Sequence, residues 1–240
     1  MAGPEVDMRH ALMQQLEHTA SPGRRLRFLA KTALWRASLA FAYAAKRTLD
    51  VAFASIGLLL LSPVFATTAA AIYLEDRGPV FFRQQRVGRY GRVFPFYKFR
   101  SMVTNAESIK EQLTAQNESQ DGVTFKMKRD PRITRTGAFI RRFSIDELPQ
   151  LFNVLIGDMS MVGPRPPVPR EVAQYTLEER KRLSVIPGIT CIWQVSGRSD
   201  IPFKQQVQLD FQYIQSQSIW LDLKLLLRTV SAVLTGRGAY

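Results

Sequence analysis

The pattern of apolar and polar positions divides the chain into four stretches. Residues 1–23 are polar and mixed, broken by Pro4 and Ser21-Pro22-Gly23, which predicts a flexible tail. The long apolar run begins too late for a secretory signal peptide. In residues 24–46, Leu26, Phe28, Leu29, Leu34, Trp35, Leu39, Phe41 and Tyr43 are interleaved with Arg24, Arg25, Arg27, Lys31, Arg36 and Lys46. Basic side chains can snorkel beside a buried apolar face, so the pattern predicts an interfacial amphipathic helix. An ordinary amphipathic core helix satisfies the same pattern.

Residues 47–75 carry the strongest signal. No charged residue stands between Asp50 and Glu75, a stretch long enough to reach across a bilayer. Ser62-Pro63 sits at its middle, where proline removes a backbone donor and crowds the preceding turn, so a kink is expected there. Ser62 is placed to bond back to a carbonyl that the kink frees. Basic residues flank both ends, Lys46 and Arg47 before and Arg77, Arg83 and Arg86 after, which favours both flanks on the cytoplasmic side. A re-entrant helix that dips into the membrane and returns satisfies both features, whereas a kinked single span would put the tail outside.

Residues 76–240 change character and read as a soluble domain. Gly78-Pro79, Gly88 and Gly91 punctuate short aromatic runs and predict a β-hairpin or extended structure across residues 76–103. Helices are expected at 104–118, within 137–156, at 171–184, at 203–215 and, amphipathic again, at 220–234. The prolines of 163–169 exclude a helix there. The resulting fold class is α+β, mostly helical, with a small β portion and membrane-seeking helices around it.

Charge and composition narrow the chemistry. Hydrophobic residues at 46% and charged residues at 22% exclude a wholly disordered chain and a many-span transporter. A net charge of +13 calls for an acidic partner: nucleic acid, anionic lipid or a phosphorylated molecule. The single cysteine, Cys191, rules out an internal disulfide framework and fits a reducing compartment. His10 and His18 both lie in the tail, and neither a Walker A loop nor a nucleophile elbow is present.

The densest cationic block, Lys126, Lys128, Arg129, Arg132, Arg135, Arg141 and Arg142, runs into Asp146-Glu147. Ser144-Ile-Asp-Glu147 has the spacing of a capping box, with Glu147 reaching back to Ser144. The same carboxylates, among arginines at a helix start, have a chemical use. Asp146 would be held anionic and able to attack phosphorus, and its neighbour could move protons or hold a metal. Arg165, stiffened by the surrounding prolines, and Arg198 suit bidentate phosphate binding. Asp158 reads as a turn residue or a metal ligand. Lys98-Phe-Arg-Ser-Met102 mixes basic and aromatic residues but is too short to argue for nucleic acid.

From about residue 46 onward the chain resembles the bacterial sugar transferase family, the monotopic polyprenyl-phosphate phosphoglycosyl transferases. The resemblance rests on Lys46-Arg-Thr-Leu-Asp50, Ser62-Pro63, Gly78-Pro-Val-Phe-Phe-Arg83, Lys98-Phe-Arg-Ser-Met102 and Asp130-Pro-Arg-Ile-Thr134. It continues through Asp146-Glu-Leu-Pro-Gln150, Gly157-Asp-Met-Ser160, Gly163-Pro-Arg-Pro166, Pro187-Gly-Ile-Thr190, Trp193-Gln-Val-Ser-Gly-Arg198 and Gly236-Arg-Gly-Ala-Tyr240. It implies transfer of a sugar 1-phosphate from a UDP-sugar to undecaprenyl phosphate, initiating exopolysaccharide, O-antigen, capsule or glycoprotein glycan assembly. By motif position Asp146 is the nucleophile of a covalent phosphosugar intermediate, Glu147 its dyad partner, and Mg2+ the cofactor, bound at Asp146. Arg141, Arg165 and Arg198 match phosphate-contacting arginines, and Ser62-Pro63 the membrane helix break. The expected setting is the cytoplasmic face of a bacterial inner membrane, with donor, acceptor and membrane lipids as partners and no nucleic acid. Sugar identity, glycan pathway, the role of residues 1–23 and homo-oligomer formation stay open. Cys191 stands where relatives often have glycine, and Gln85 where an acidic residue is common. Two rivals remain: a lipid-acceptor glycosyltransferase that releases nucleoside diphosphate, and a non-catalytic basic membrane-binding protein.

Overall fold

Helix α1 (Pro22–Leu60) runs without interruption through both predicted helical stretches before Ser62-Pro63. The computed structural model describes residues 22–113, 127 and 130–235. The tail up to residue 21, the loop expected at 117–122, the cations Lys126, Lys128 and Arg129, and the last motif at 236–240 lie outside the described residues. Contacts divide the chain into two units at Thr48 and Leu49. In the first unit the apolar side chains of α1, among them Leu26, Trp35 and Phe41, are exposed.

In the second unit α1 ends at Leu60 and helix α2 (Ser62–Asp76) begins, the two meeting at 59°. The local chemistry accounts for the break. Pro63 has no N–H to offer the carbonyl of Leu59, and the Ser62 hydroxyl donates to that carbonyl at 2.8 Å instead. Among the described residues no single helix is long and apolar enough to cross a membrane; only the bent pair passes together. Asp50, Ala54, Leu58, Phe65, Thr68, Ala69 and Ile72 form one helical stripe that continues past the break and packs inward. Ile56, Leu59, Leu60 and Leu74 leave the outer face apolar and bare. Asp50 fixes the stripe, accepting hydrogen bonds from the Ser160 hydroxyl and the Met161 N–H, each at 3.0 Å.

The expected hairpin is present. Strand β1 (Phe81–Val87) pairs antiparallel with β2 (Val93–Phe99), from Phe81 opposite Phe99 to Val87 opposite Val93. Phe94 and Phe96 bury one face of β2 against Ala54, Leu151, Val154 and Met159, while Phe99 packs with Ile72 and Ile140. Helix α3 (Ala106–Leu113) follows, then α4 (Arg135–Arg142), a 3-10 turn over Ile145–Glu147, and α5 (Gln150–Ile156). Asn153 of α5 covers the outer edge of β2: its amide accepts from the Tyr97 N–H at 3.1 Å and donates to the Pro95 carbonyl at 2.7 Å.

Strand β3 (Ser160–Val162) pairs in parallel with β4 (Gly188–Thr190), so the proline-rich loop after β3 returns beside the dyad. A side chain at Gly188 would put its Cβ 2.0 Å from the Gly163 nitrogen, so only glycine allows the two chains to come this close. The single charged helix expected at 171–184 is instead α6 (Pro169–Ala173) and a separate 3-10 turn, Glu179–Ser184. Thr176 and Glu179 cap a fresh start between them, with Thr176 N–H to Glu179 Oε2 at 2.7 Å. Tyr175 and Arg182 turn inward, where Arg182 pairs with buried Asp210 of helix α7 (Phe203–Ser216). Helix α8 (Ile219–Thr235) closes the described chain.

Asp76, at the end of α2, forms a two-pronged ion pair with Arg100. This pairing draws the Asp76 carboxyl from its ordinary 3.8 down to about 2, against a smaller opposing effect of burial. A depressed folded-state value means that the stabilisation is present above the unfolded value and is lost as pH falls through the folded one. Denaturation midpoints between about pH 2 and pH 5 should therefore rise with pH in the native protein, and Asp76→Asn should lower the midpoint at neutral pH and flatten that rise.

Candidate active site

The dyad sits where three elements converge. Asp146 and Glu147 lie on the 3-10 turn after α4, Lys98 comes from the end of β2, and Arg165 from the loop after β3. Lys98 shares a strand face with Phe94 and Phe96, and its ammonium lies 5.6 Å from the centre of the Phe96 ring. From there it reaches Glu147 Oε1 at 2.9 Å and Asp146 Oδ2 at 3.4 Å. Arg165 donates to the same Glu147 oxygen at 2.7 Å. With its amide oriented so that the oxygen faces Arg165, Gln194 accepts from the guanidinium at 3.0 Å and donates to the Ile189 carbonyl at 3.2 Å. Arg86 straps the same loop by donating to the Pro166 carbonyl at 2.9 Å.

The capping box expected at Ser144 is not formed. Ser144 takes a left-handed conformation, φ 53°, and its side chain makes no cap, because Glu147 turns away toward Lys98 and Arg165. Arg198 is left-handed as well, also at φ 53°. Such a backbone costs a non-glycine residue about 1–3 kcal/mol and recurs at functional sites. Both strained residues line the cleft that holds the dyad.

The electrostatics of the two carboxyls diverge. Asp146, only 6% exposed, has its carboxyl pushed up by burial, with Glu147 adding to the rise and Lys98 and Arg141 opposing it. The sequence-based expectation that the surroundings would lower it is therefore corrected: desolvation outweighs the neighbouring cations. Burial pushes Glu147 in the same direction, but Arg165 and Lys98 more than offset it and hold that carboxyl far below the usual range. Of the pair, Glu147 is the carboxyl whose charge the cations favour, and Asp146 the one whose charge burial opposes.

Of the predicted phosphate ligands, Arg141, Arg165 and Arg198 all line the same cleft of about 1490 Å³. Arg165 is engaged by Glu147, whereas Arg198 Nη1 is buried and has no acceptor among the described residues. Asp158 lies elsewhere, after α5, paired with Arg92 at 3.3 Å. Lys98 and Gln194 were missed as site residues. Both stood in recognisable motifs, but nothing local ties Lys98 to a carboxylate 48 positions away. Among the described residues no cluster of three or more His, Cys, Asp or Glu side chains could cage a metal. Asp146 Oδ1 and Glu147 Oε2 accept no hydrogen bond from the described residues. Two hard oxygen donors fit Mg2+, which ordinarily completes its shell with water and substrate phosphate.

The family model for bacterial sugar transferases matches residues 41–236. The chain belongs to this family. It is 52% identical to the galactosyl transferase CpsE of Streptococcus agalactiae serotype III over 81% of its own length and 43% of that protein's. Against the undecaprenyl-phosphate galactose phosphotransferase of Salmonella typhimurium the identity is 44%, over 81% of this chain and 41% of that one. The chain thus spans about two fifths of the length of these larger relatives. With the exopolysaccharide production protein ExoY of Rhizobium meliloti it shares 40% identity over 82% of its length and 88% of that protein's.

The acid limb of the pH–rate profile should report the Asp146 carboxyl. Activity should rise with pH through a value above the ordinary aspartate range. Lys98→Met removes a cation that opposes the upward shift, so the limb should move to higher pH. An unmoved limb would show that Asp146 is not the titrating group.

Proposed function

We propose that this transferase moves a sugar 1-phosphate from a UDP-sugar to undecaprenyl phosphate in two steps, at a bacterial cytoplasmic membrane. The observation that carries the reading is a buried carboxylate pair held by Lys98 and Arg165, lining a cleft that the apolar residues around the α1–α2 break and on α8 line as well. In the first step an Asp146 oxygen attacks the phosphorus that bears the sugar. The bond to the bridging oxygen of the diphosphate breaks and UMP leaves. In the second, an oxygen of the lipid phosphate attacks the aspartyl phosphosugar and releases Asp146.

Each neighbour has work in this scheme. Glu147, fixed as an anion, anchors Lys98 and Arg165 so that they face the transferring phosphoryl group without reorganisation. Arg198 brings a guanidinium nitrogen that has no acceptor among the described residues and would donate to an entering anion. Arg141 tempers the cost of an anionic Asp146. Magnesium, with Asp146 and Glu147 as its protein ligands, would supply neutralisation of diphosphate charge. The bent pair α1–α2, with its bare apolar outer face, supports a re-entrant membrane segment broken at Ser62-Pro63, which would hold the dyad at headgroup level. The names of the relatives from Salmonella and from Aeromonas hydrophila, both undecaprenyl-phosphate sugar phosphotransferases, support the same acceptor.

The nucleotide product decides the reaction class. Detergent-purified protein with Mg2+, undecaprenyl phosphate and a panel of UDP-sugars should release UMP from one or a few of them. Asp146→Asn should abolish that release, and chelation of the metal should suppress it. Release of UDP, or wild-type turnover by Asp146→Asn, would overturn the reading.

A further inference from the structure

Helix α8 carries an apolar stripe that the domain does not cover. Trp220, Leu223, Leu227, Val230 and Leu234 follow one another at spacings of three and four, hence on one face. Trp220, Leu227 and Leu234 are 78%, 74% and 72% exposed. The opposite face is fixed to the domain: Asp222 accepts from the Tyr213 hydroxyl at 2.8 Å, Leu225 is buried, and Thr229 bonds Thr190 at 2.7 Å. The stripe is therefore displayed on a helix held in place from behind.

What it faces is informative. The stripe lines the cleft of the dyad, and so do Phe53, Leu61 and Val64 around the α1–α2 break. Two apolar surfaces from distant parts of the chain thus bound one concavity, with Lys98, Arg165 and Arg198 in the same concavity. Leu59 and Leu74, by contrast, are exposed outside the cleft. A concave apolar surface leading to cations matches one amphiphile bound lengthwise, with its anionic head at the cations and its chain between the walls.

We infer that the α8 stripe and the Ser62-Pro63 break together hold the isoprene chain of the lipid acceptor along the length of the stripe. The inference rests on the two-step reading above and gives α8 a share in acceptor selection. Gating by chain length follows, because a longer polyprenyl chain covers more of the stripe.

The test is a Leu227→Gln/Val230→Gln double variant, chosen because both side chains are exposed and support no core packing. Leu177→Gln, exposed and outside the cleft, is the control. The acceptor KM in detergent should rise about tenfold, equivalent to about 1.4 kcal/mol of lost apolar contact. The preference for undecaprenyl phosphate over a shorter polyprenyl phosphate should shrink. The loss should fall on acceptor-dependent turnover, leaving the nucleotide burst seen without acceptor at its wild-type amplitude. An unchanged acceptor KM, a burst that falls in step with turnover, or a defect confined to vesicle binding would overturn the inference. Absence of a burst from the wild-type protein would instead bring down the two-step reading itself.

Discussion

Two adjacent carboxylates buried beside each other would repel and be driven toward protonation, and the site exists because Lys98 and Arg165 converge on them. Both cations meet at one oxygen of Glu147, and Lys98 also approaches Asp146. This arrangement divides the labour of the pair. Glu147 keeps its charge and holds the cations still, while Asp146, more deeply desolvated and less well paired, keeps a basic oxygen. In the proposed reaction a carboxylate with a raised proton affinity would be the better nucleophile once ionised, and the cations that orient it would also face the phosphate.

The rest of the fold serves that convergence. The β1–β2 hairpin delivers Lys98, the parallel pairing of β3 with β4 fixes the loop that carries Arg165, and glycine at 188 lets the two strands approach closely enough. Asp50 and the inward stripe of α1–α2 fasten the broken helix to the same core that Phe94, Phe96 and Leu151 build. The broken apolar helix and the Asp146-Glu147 pair are therefore fastened to one core. That continuity would suit the proposed reaction, in which one substrate is water-soluble and the other stays in lipid.

Features set by local chemistry were legible in the sequence. The break at Ser62-Pro63, including the bond from Ser62 back to a freed carbonyl, follows from proline alone, and the hairpin follows from its glycines. Features set by tertiary burial were not. The Ser144 capping box fails because Ser144 adopts a left-handed backbone and Glu147 has stronger partners in Lys98 and Arg165. The direction of the Asp146 shift was misread because burial, not the adjacent arginines, dominates it. The helix expected at 171–184 splits because Tyr175 and Arg182 are drawn into the pocket around Asp210. The positions of Arg141, Arg165 and Arg198 around one cleft were anticipated from motifs alone, whereas Lys98 and Gln194 required the fold.

The central claim is that Asp146 itself becomes the phosphosugar carrier. Incubating the protein with its UDP-sugar and Mg2+ in the absence of acceptor, quenching, and sequencing the modified peptide by mass spectrometry tests it directly. The mass of one sugar phosphate should appear on Asp146 and disappear when undecaprenyl phosphate is added. An adduct on another residue, or no adduct while the same preparation turns over with both substrates present, would contradict the account.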